Sequence, residues 1–427
     1  MKHSRNTPAL SAPARITPAR PPLLMIVAVV PALAALAAGC GGGERTGATV
    51  VQELRGDTVV MISSGEPERV RIDAVDVLWR SDEFEAASAH FVRMDRLGEH
   101  LVIGDFHRVH VVSIRDGGSH TFGRRGEGPG EIRWAIRSVG GFGPDTIAVL
   151  DEGQVLLFSL DGEFLTSYQT TAQLPFGLPV MGGSARDRLM YPLVRSGSGM
   201  LWARVSGDRR ADGSSISRKA LLWHDLEADT AAVLETWEYG SGSDPMDALF
   251  GERVKHTIAS DGRVAAGDPA DYCIRLSHAF EEGVRMGCRE RSRVPVAAGF
   301  NALSGLDQMG EGGLANVARQ LEANPVDLLP HFDRLLFSES GDLWVNLYHE
   351  DFAHVHRLAY SLFDWQPTTY EWEVFDRDAV LVRHVTVPGT FDLRVILDDM
   401  GFGFFTLDTG EVVVGRVDLT ASTVPTP

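Results

Sequence analysis

The sequence predicts an all-β fold, and more specifically a six-bladed β-propeller. Two observations lead to this prediction. From residue 46 onward, short apolar or β-branched segments alternate with Gly and Asp turns. In addition, a pattern of two strands and a turn at residues 101–118 recurs at residues 147–162, about 46 residues later.

The number of blades follows from weaker copies of the same pattern. A four-stranded repeat of about 40 to 50 residues is typical of a propeller blade, because one such sheet must stack on its neighbours to cover both faces. Counting all copies predicts six units; a β-sandwich or an open repeat array remains the alternative. The weaker copies are Gly199–Trp202 with Leu221–Asp225, Gly262–Val264 with Tyr272–Leu276, Gly341–Trp344 with Tyr370–Asp376, and Ala379–Leu419.

Two further elements belong to the predicted propeller domain, residues 50–420. The segment Val50–Met61 reads as a strand before the first unit, which we expect to complete the final blade and close the ring. A short helical insertion is predicted near 303–329, with Leu314 and Leu321 on an apolar stripe. We interpret the stripe as core packing, and a lid over a ligand pocket is the alternative.

The first 39 residues have the profile of a signal peptide, with a basic start and an uncharged segment at 23–38. The sequence Leu36-Ala-Ala-Gly-Cys40 resembles the bacterial lipobox, although Ala37 stands where a larger aliphatic residue is usual. The resemblance implies that Cys40 is acylated and becomes the mature N-terminus, which binds membrane lipid. A plain secretory signal is the alternative.

Residues 40–49 are expected to form a flexible tether, and residues 421–427 a disordered tail.

The charge balance argues against a nucleic-acid partner. The chain has 40 basic and 58 acidic residues. Four of the basic residues lie in the first 39, so the remainder has a net charge of −22 (36 basic against 58 acidic). Such a surface repels phosphate backbones.

The segment Phe122-Gly-Arg-Arg-Gly-Glu-Gly-Pro-Gly-Glu-Ile132 resembles a Gly-Pro-Gly segment of bacterial six-bladed propeller lipoproteins, which are similar to NHL-repeat and TolB-like propellers. The blade segments Gly341–Val345 and Trp372–Asp376 also resemble that family. The resemblance spans about residues 46–420. It implies a six-bladed fold in the cell envelope, facing the periplasm or the exterior, and it implies no catalytic residue.

The same segment provides the candidate ligand-binding residues, Arg124, Arg125, Glu127 and Glu131. Its glycines suggest a phosphate cradle, but a Walker loop ends in Gly-Lys-Ser/Thr and this segment ends in an acid. We interpret it as a crossover between blades in which these side chains pair with each other or with water. The alternative is a ligand-contacting loop at one mouth of the channel.

Three other groups of residues have patterns that bear on metal binding, disulfide formation and packing. His349 and His354 are five residues apart, whereas two zinc ligands on one face of a helix must be four apart. On a strand, His354 and His356 would share a face, with Glu350 nearby. We nevertheless predict no metal site and no cofactor.

Cys273 and Cys288 flank a predicted hairpin. Pairing Ile274 with Met286 would point the two cysteines to opposite faces of the sheet unless a bulge intervenes.

Stacking between blades is expected for most of the tryptophans in the blade region, which are Trp202, Trp223, Trp237, Trp344, Trp365 and Trp372.

These patterns favour an envelope-anchored, non-catalytic module that binds a protein or an extracellular ligand. The sequence contains no Gly-x-Ser-x-Gly elbow and no nucleotide loop. Because propeller enzymes assemble sites from residues scattered over several blades, a metal-dependent hydrolase, lactonase or lyase with a channel-lining site remains the alternative.

Overall fold

The computed structural model describes residues 49–56, 58–80, 93–151, 154–169, 189–196, 199–209, 215–225, 230–240, 254–295, 328, 330–348 and 368–420. These residues form strands, turns and irregular segments and contain no helix. The described ranges therefore include no candidate for a membrane-spanning helix. The predictions for Cys40, residues 303–327, the His349–His356 group and the C-terminal tail lie outside the described residues.

Twenty-seven strands make up the described chain. In chain order they are β1 (Thr49–Arg55), β2 (Thr58–Ser64), β3 (Glu68–Arg71), β4 (Asp76–Trp79), β5 (Arg93–Leu97), β6 (His100–Asp105), β7 (Arg108–Ser113), β8 (Ser119–Phe122), β9 (Ile136–Gly141), β10 (Thr146–Asp151), β11 (Gln154–Ser159), β12 (Phe164–Gln169), β13 (Leu189–Ser196), β14 (Gly199–Arg209), β15 (Ser215–Asp225), β16 (Thr230–Gly240), β17 (Lys255–Ile258), β18 (Arg263–Asp268), β19 (Cys273–His278), β20 (Val284–Arg289), β21 (Phe332–Phe337), β22 (Leu343–Leu347), β23 (Thr369–Phe375), β24 (Leu381–Pro388), β25 (Phe391–Leu397), β26 (Met400–Thr406) and β27 (Val412–Asp418).

The strands form six antiparallel blades arranged as a β-propeller, which confirms the predicted fold class. Blades 1 to 5 are β5–β8, β9–β12, β13–β16, β17–β20 and β21–β24, and blade 6 is β25–β27 with β4. The innermost strands β5, β9, β13, β17, β21 and β25 each contact the next, and β25 contacts β5. The ring is therefore closed around a channel.

The 46-residue repeat corresponds to the middle strands of the first two blades. β6 and β7 begin at His100 and Arg108, and β10 and β11 begin at Thr146 and Gln154. The predicted Gly/Asp turns occur between strands, as in blade 2, where Gly162 has a φ of 88° and its N–H donates to the Ser159 carbonyl at 3.0 Å. A positive φ of this size suits glycine, which lacks a β-carbon.

The strand that closes the ring is β4, and not the predicted Val50–Met61. β4 pairs antiparallel with β27, with Trp79 opposite Val414. Trp79 is buried among aromatic and aliphatic side chains of blades 6 and 1, and its indole N–H donates to Ser119 Oγ at 2.9 Å. Closure by a strand from the N-terminal side was predicted, but the strand was assigned wrongly.

The predicted closing segment lies instead on the outside of blade 4. β1 and β2 form a hairpin, and β2 pairs parallel with β20. β3 then pairs parallel with β24, the outer strand of blade 5. We call residues 49–79 the strap, because its strands follow the outer edges of blades 4, 5 and 6 in that order.

Large apolar side chains fill the spaces between blades, as the tryptophan pattern predicts. Trp344 and Trp372 of blade 5 are fully buried, with ring centroids 6.4 Å apart, in a cluster that also contains Phe391 of blade 6. Trp223 and Trp237 are partly buried against a cluster shared by blades 3 and 4. Trp365 lies outside the described residues.

Cys273 and Cys288 form a disulfide between β19 and β20. The register pairs Ile274 with Gly287, one residue away from the expected Met286, so the two cysteines face each other directly. The assumed register was therefore wrong. Apolar residues at 274, 276, 284 and 286 suggested a pairing that the strands do not adopt.

Candidate functional site

The segment 123–135 connects the outer strand of blade 1, β8, to the innermost strand of blade 2, β9. We call it the crossover loop. Its backbone folds back on itself: Ile132 N–H donates to the Arg124 carbonyl at 2.9 Å, and Gly126 N–H donates to the Ile132 carbonyl at 3.1 Å. Arg125 and Ile132 form an isolated parallel β-bridge.

The carboxylate of Glu131 occupies the amide-lined interior of this loop. One oxygen accepts the Gly128 N–H at 2.8 Å, and the other lies 2.6 Å from Arg124 Nη2. The Gly128 amide, followed by the nearby Arg124 guanidinium, lowers the pKa of Glu131. The loop therefore holds its own anion where a phosphate cradle would place a ligand anion.

The loop is also fixed to the blades at its C-terminal end. Ile132 is fully buried in the cluster between blades 1 and 2. The buried carboxylate of Asp151, at the turn between β10 and β11, accepts Arg133 N–H at 2.6 Å and Trp134 N–H at 3.2 Å. These contacts support the interpretation of the segment as a packed inter-blade crossover.

A pocket of about 270 Å³ lies between the crossover loop and blade 2. On the blade side it is lined by residues of β11 and β12, which are the two outer strands. The alternative interpretation placed the loop at a mouth of the channel; the pocket that it lines is on the outer half of the blade. The lining residues are Gly126, Glu127, Gly128, Pro129, Gly130, Glu131, Arg133, Gln154, Leu156, Phe164 and Ser167.

The four predicted ligand-binding residues separate into two groups. Glu127 and Glu131 line the pocket, whereas Arg124 and Arg125 do not. Arg124 is largely exposed, with 81% of its side-chain surface accessible, and it pairs with Glu131. The loop therefore brings Arg124 and Glu131 into contact, and Glu127 contributes to the lining of the pocket.

Sequence reasoning missed the pocket residues contributed by the blade. Gln154, Phe164 and Ser167 belong to β11 and β12 and come close to the loop only in the folded protein. Arg133 and Trp134 directly follow the Phe122–Ile132 segment. Trp134 is 59% exposed, which is unusual for so large an apolar side chain.

A second group of charged side chains belongs to the innermost strands, which surround the channel. Asp392 of blade 6 accepts hydrogen bonds from Arg334 Nη2 of blade 5 at 2.7 Å and from Arg394 Nε at 2.8 Å. Burial raises the pKa of Asp392, but the two guanidinium groups outweigh burial and lower it to about 2. The carboxylate is therefore ionised at any physiological pH.

Two other carboxylates of the innermost strands, those of Asp333 and Asp95, have different environments. Asp333 lies 3.1 Å from Lys255 Nζ of blade 4 and accepts a hydrogen bond from the Tyr348 hydroxyl at 3.1 Å. Burial of Asp95 in β5 raises its pKa to about 6, although it accepts the Gly141 N–H at 3.3 Å. Among the residues that the structure describes, no three His, Cys, Asp or Glu side chains are grouped as a metal site requires.

Comparisons with known proteins give structural similarity only. No family model matches the chain. No curated protein matches it either. A solved structure of a Bacteroides fragilis NCTC 9343 protein, whose name describes it as exported, has a TM-score of 0.43 and 13% identity, covering 82% of this chain and 98% of that one. A member of the DUF4221 family from Bacteroides vulgatus ATCC 8482 has a TM-score of 0.49 and 10% identity, covering 81% and 96%.

Proposed function

We propose that this protein is a non-catalytic binding propeller that holds a partner protein or an extracellular ligand at the pocket between the crossover loop and blade 2. The pocket itself is the observation that carries the proposal. Its walls combine charged and polar side chains, Glu127, Arg133, Gln154 and Ser167, with the ring of Phe164. A few placed polar groups beside an apolar surface are typical of ligand sites.

The rigidity of the site supports a binding role. The loop wall is held by Glu131, Ile132 and the Asp151 carboxylate, and the other wall is a β-sheet. A preformed site orders few groups when its ligand arrives, so less conformational entropy is lost on binding. Trp134, exposed one residue after the pocket residue Arg133, adds an aromatic surface suited to contact with a partner.

The test uses a variant that fills the pocket. Ser167 is exposed and lines the pocket, so Ser167→Trp places an indole in the ligand space without removing a described hydrogen bond. Glu163→Trp, at an exposed position just before β12 and outside the lining, is the matched control. The purified mature domain, labelled with biotin, is applied to arrays of immobilised peptides and glycans.

We expect Ser167→Trp to lose at least one ligand class that the wild type and Glu163→Trp both retain. Unchanged array profiles for Ser167→Trp would show that the pocket binds none of these ligands. Retention of all wild-type signals after Arg133→Glu as well would argue against this face of blade 2 as the binding surface.

We also infer that the chain is a lipoprotein of the bacterial cell envelope, anchored through Cys40 and related to NHL/TolB-like propellers. The Leu36–Cys40 sequence and the Gly-Pro-Gly segment support this inference. The Cys273–Cys288 disulfide adds support, because disulfides persist mainly in oxidising compartments outside the cytosol. Cys40→Ala should abolish labelling by a palmitate analogue and release the protein from membranes; continued labelling would exclude Cys40 as the acylated residue.

A further inference from the structure

The innermost strands carry a net positive charge within an acidic protein. Together they contain seven basic and three acidic residues, a net charge of +4. The whole chain has a net charge of −18. Basic residues are therefore concentrated on the six strands that surround the channel. The basic residues are Arg93, Arg96, Arg137, Arg195, Lys255, Arg334 and Arg394, and the acidic ones are Asp95, Asp333 and Asp392.

The geometry brings several of these cations together across blade boundaries. Arg334 of blade 5 and Arg394 of blade 6 share the Asp392 carboxylate, and Lys255 of blade 4 contacts Asp333 of blade 5. About a fifth of the side-chain surface of Arg334 and Arg394 is accessible, at 23% and 19%. Both residues belong to innermost strands, which surround the channel.

Arg93 of blade 1 extends the group to a third consecutive blade. Burial lowers the pKa of Arg394, and the positive charges of Arg334 and Arg93 lower it further. The negative charge of Asp392 acts in the opposite direction. β25, which carries Arg394, contacts β5, which carries Arg93, so the like charges of these arginines act on one another across the boundary between blades 6 and 1. A bound anion would relieve this repulsion, and low-dielectric channel walls would strengthen its attraction to the arginines.

We infer that the channel binds a small anion bearing carboxylate or phosphate groups, with Arg93, Arg334, Arg394 and Lys255 as the cationic contacts. Arginine suits both groups, because its planar fork can donate two parallel hydrogen bonds to one carboxylate or phosphate. Arg394 donates from both Nε, at 2.8 Å, and Nη2, at 2.5 Å, to a single oxygen of the Asp392 carboxylate, Oδ2. This site is separate from the pocket on the outer half of blade 2, so the inference does not depend on the proposed function.

The test is isothermal titration of the purified domain with pyrophosphate and, separately, with citrate, at constant ionic strength set by NaCl. We expect saturable binding of at least one probe. Binding of pyrophosphate alone identifies a phosphate site and binding of citrate alone a carboxylate site, and either result supports the inference. Absence of heat and of any thermal stabilisation with both probes at millimolar concentration would overturn it.

Variants test whether the channel is the place of binding. Arg394→Gln should weaken binding about tenfold, the effect of one nearby charge. Asp392→Asn should strengthen binding by a similar factor, because it removes a competing anion; a folding defect would not raise affinity. Arg93→Gln, which leaves Asp392 and its two arginines in place, is measured if Arg394→Gln fails to fold.

The matched control is Arg115→Gln, on the turn between β7 and β8, where the arginine is 75% exposed and paired with Glu99. It removes the same charge from the protein but lies outside the innermost strands. Binding should be unchanged. An equal loss of affinity in Arg115→Gln and in the channel variants would show that the anion responds to net charge alone and would overturn the assignment of the site.

Discussion

Arg334 and Asp392 join the innermost strands of neighbouring blades, with 2.7 Å between Nη2 and Oδ1. Arg394 contacts the same carboxylate from its own strand, so one acid balances two partly buried cations. A buried charge that loses its partner destabilises the folded state much more than an exposed one.

Asp392→Ala should therefore lower the free energy of unfolding by about 2 to 3 kcal/mol. The value is at the low end for a buried ion pair because the carboxylate is partly exposed to solvent. The pKa of Asp392 is depressed in the folded protein, so its contribution is present above the unfolded value and is lost as the pH falls toward about 2. Urea unfolding at pH 7 measures the difference. Glu99→Ala, which breaks the exposed pair with Arg115, is the control and should cost less than about 1 kcal/mol.

Acid should destabilise the protein through His110. This ring is fully buried in β7, with Nδ1 2.9 Å from Thr121 Oγ1. Burial, followed by the charge of Arg108, lowers its pKa to about 4. A depressed histidine pKa gives stability that is present above the unfolded value of about 6.5 and lost as the pH falls toward 4.

Between pH 7 and pH 5 this single group should reduce the free energy of unfolding by about 1 to 2 kcal/mol. His331, whose pKa burial also lowers to about 4, should add a similar loss. His110→Gln should have a smaller difference between unfolding curves at the two pH values than the wild type. An identical pH dependence in the variant would show that His110 titrates normally in the folded protein.

The blade pattern was predictable because it depends on local order, whereas ring closure depends on pairing between distant segments. Residues 101–118 and 147–162 repeat the same strand and turn chemistry, and they form equivalent strands. β4 has only four residues and gives a weak local signal, while Val50–Met61 is long and β-branched. What decides closure is the burial of Trp79 between blades 6 and 1, which no local pattern contains.

The candidate site was predictable only in part for the same reason. The glycine pattern at 123–130 identified a special loop, but Gln154, Phe164 and Ser167 join it through the fold. The disulfide is a second example. An error of one residue in the assumed strand register predicted that Cys273 and Cys288 point to opposite faces, whereas they face each other in the structure.

The roles of the strap strands can be separated by shortening and by substitution. Trp79→Ala should cost about 3 to 5 kcal/mol, because it removes a buried aromatic side chain at ring closure. Leu54→Ala is the control, since Leu54 of β1 is 75% exposed.

Deleting residues 49–64 should leave a folded propeller with a lower melting temperature, whereas deleting residues 49–79 should abolish the cooperative unfolding transition. Folding of the longer deletion would contradict closure by β4.

The conformation of the crossover loop depends on Gly126 leaving room for Glu131. A β-carbon at position 126 would overlap the Glu131 carboxylate, which is fixed by the Gly128 N–H and by Arg124. Gly126→Ala should therefore displace this carboxylate, break its hydrogen bond with the Gly128 N–H and weaken any ligand binding at the pocket.

A double variant tests whether the two residues compete for the same space. Because the β-carbon at position 126 would overlap mainly the Glu131 carboxylate, combining Gly126→Ala with Glu131→Ala should relieve the overlap. Melting temperatures of the two single variants and the double variant measure the coupling: the double variant should be more stable than the sum of the single effects predicts. Additive effects would show that the two residues do not compete for the same space.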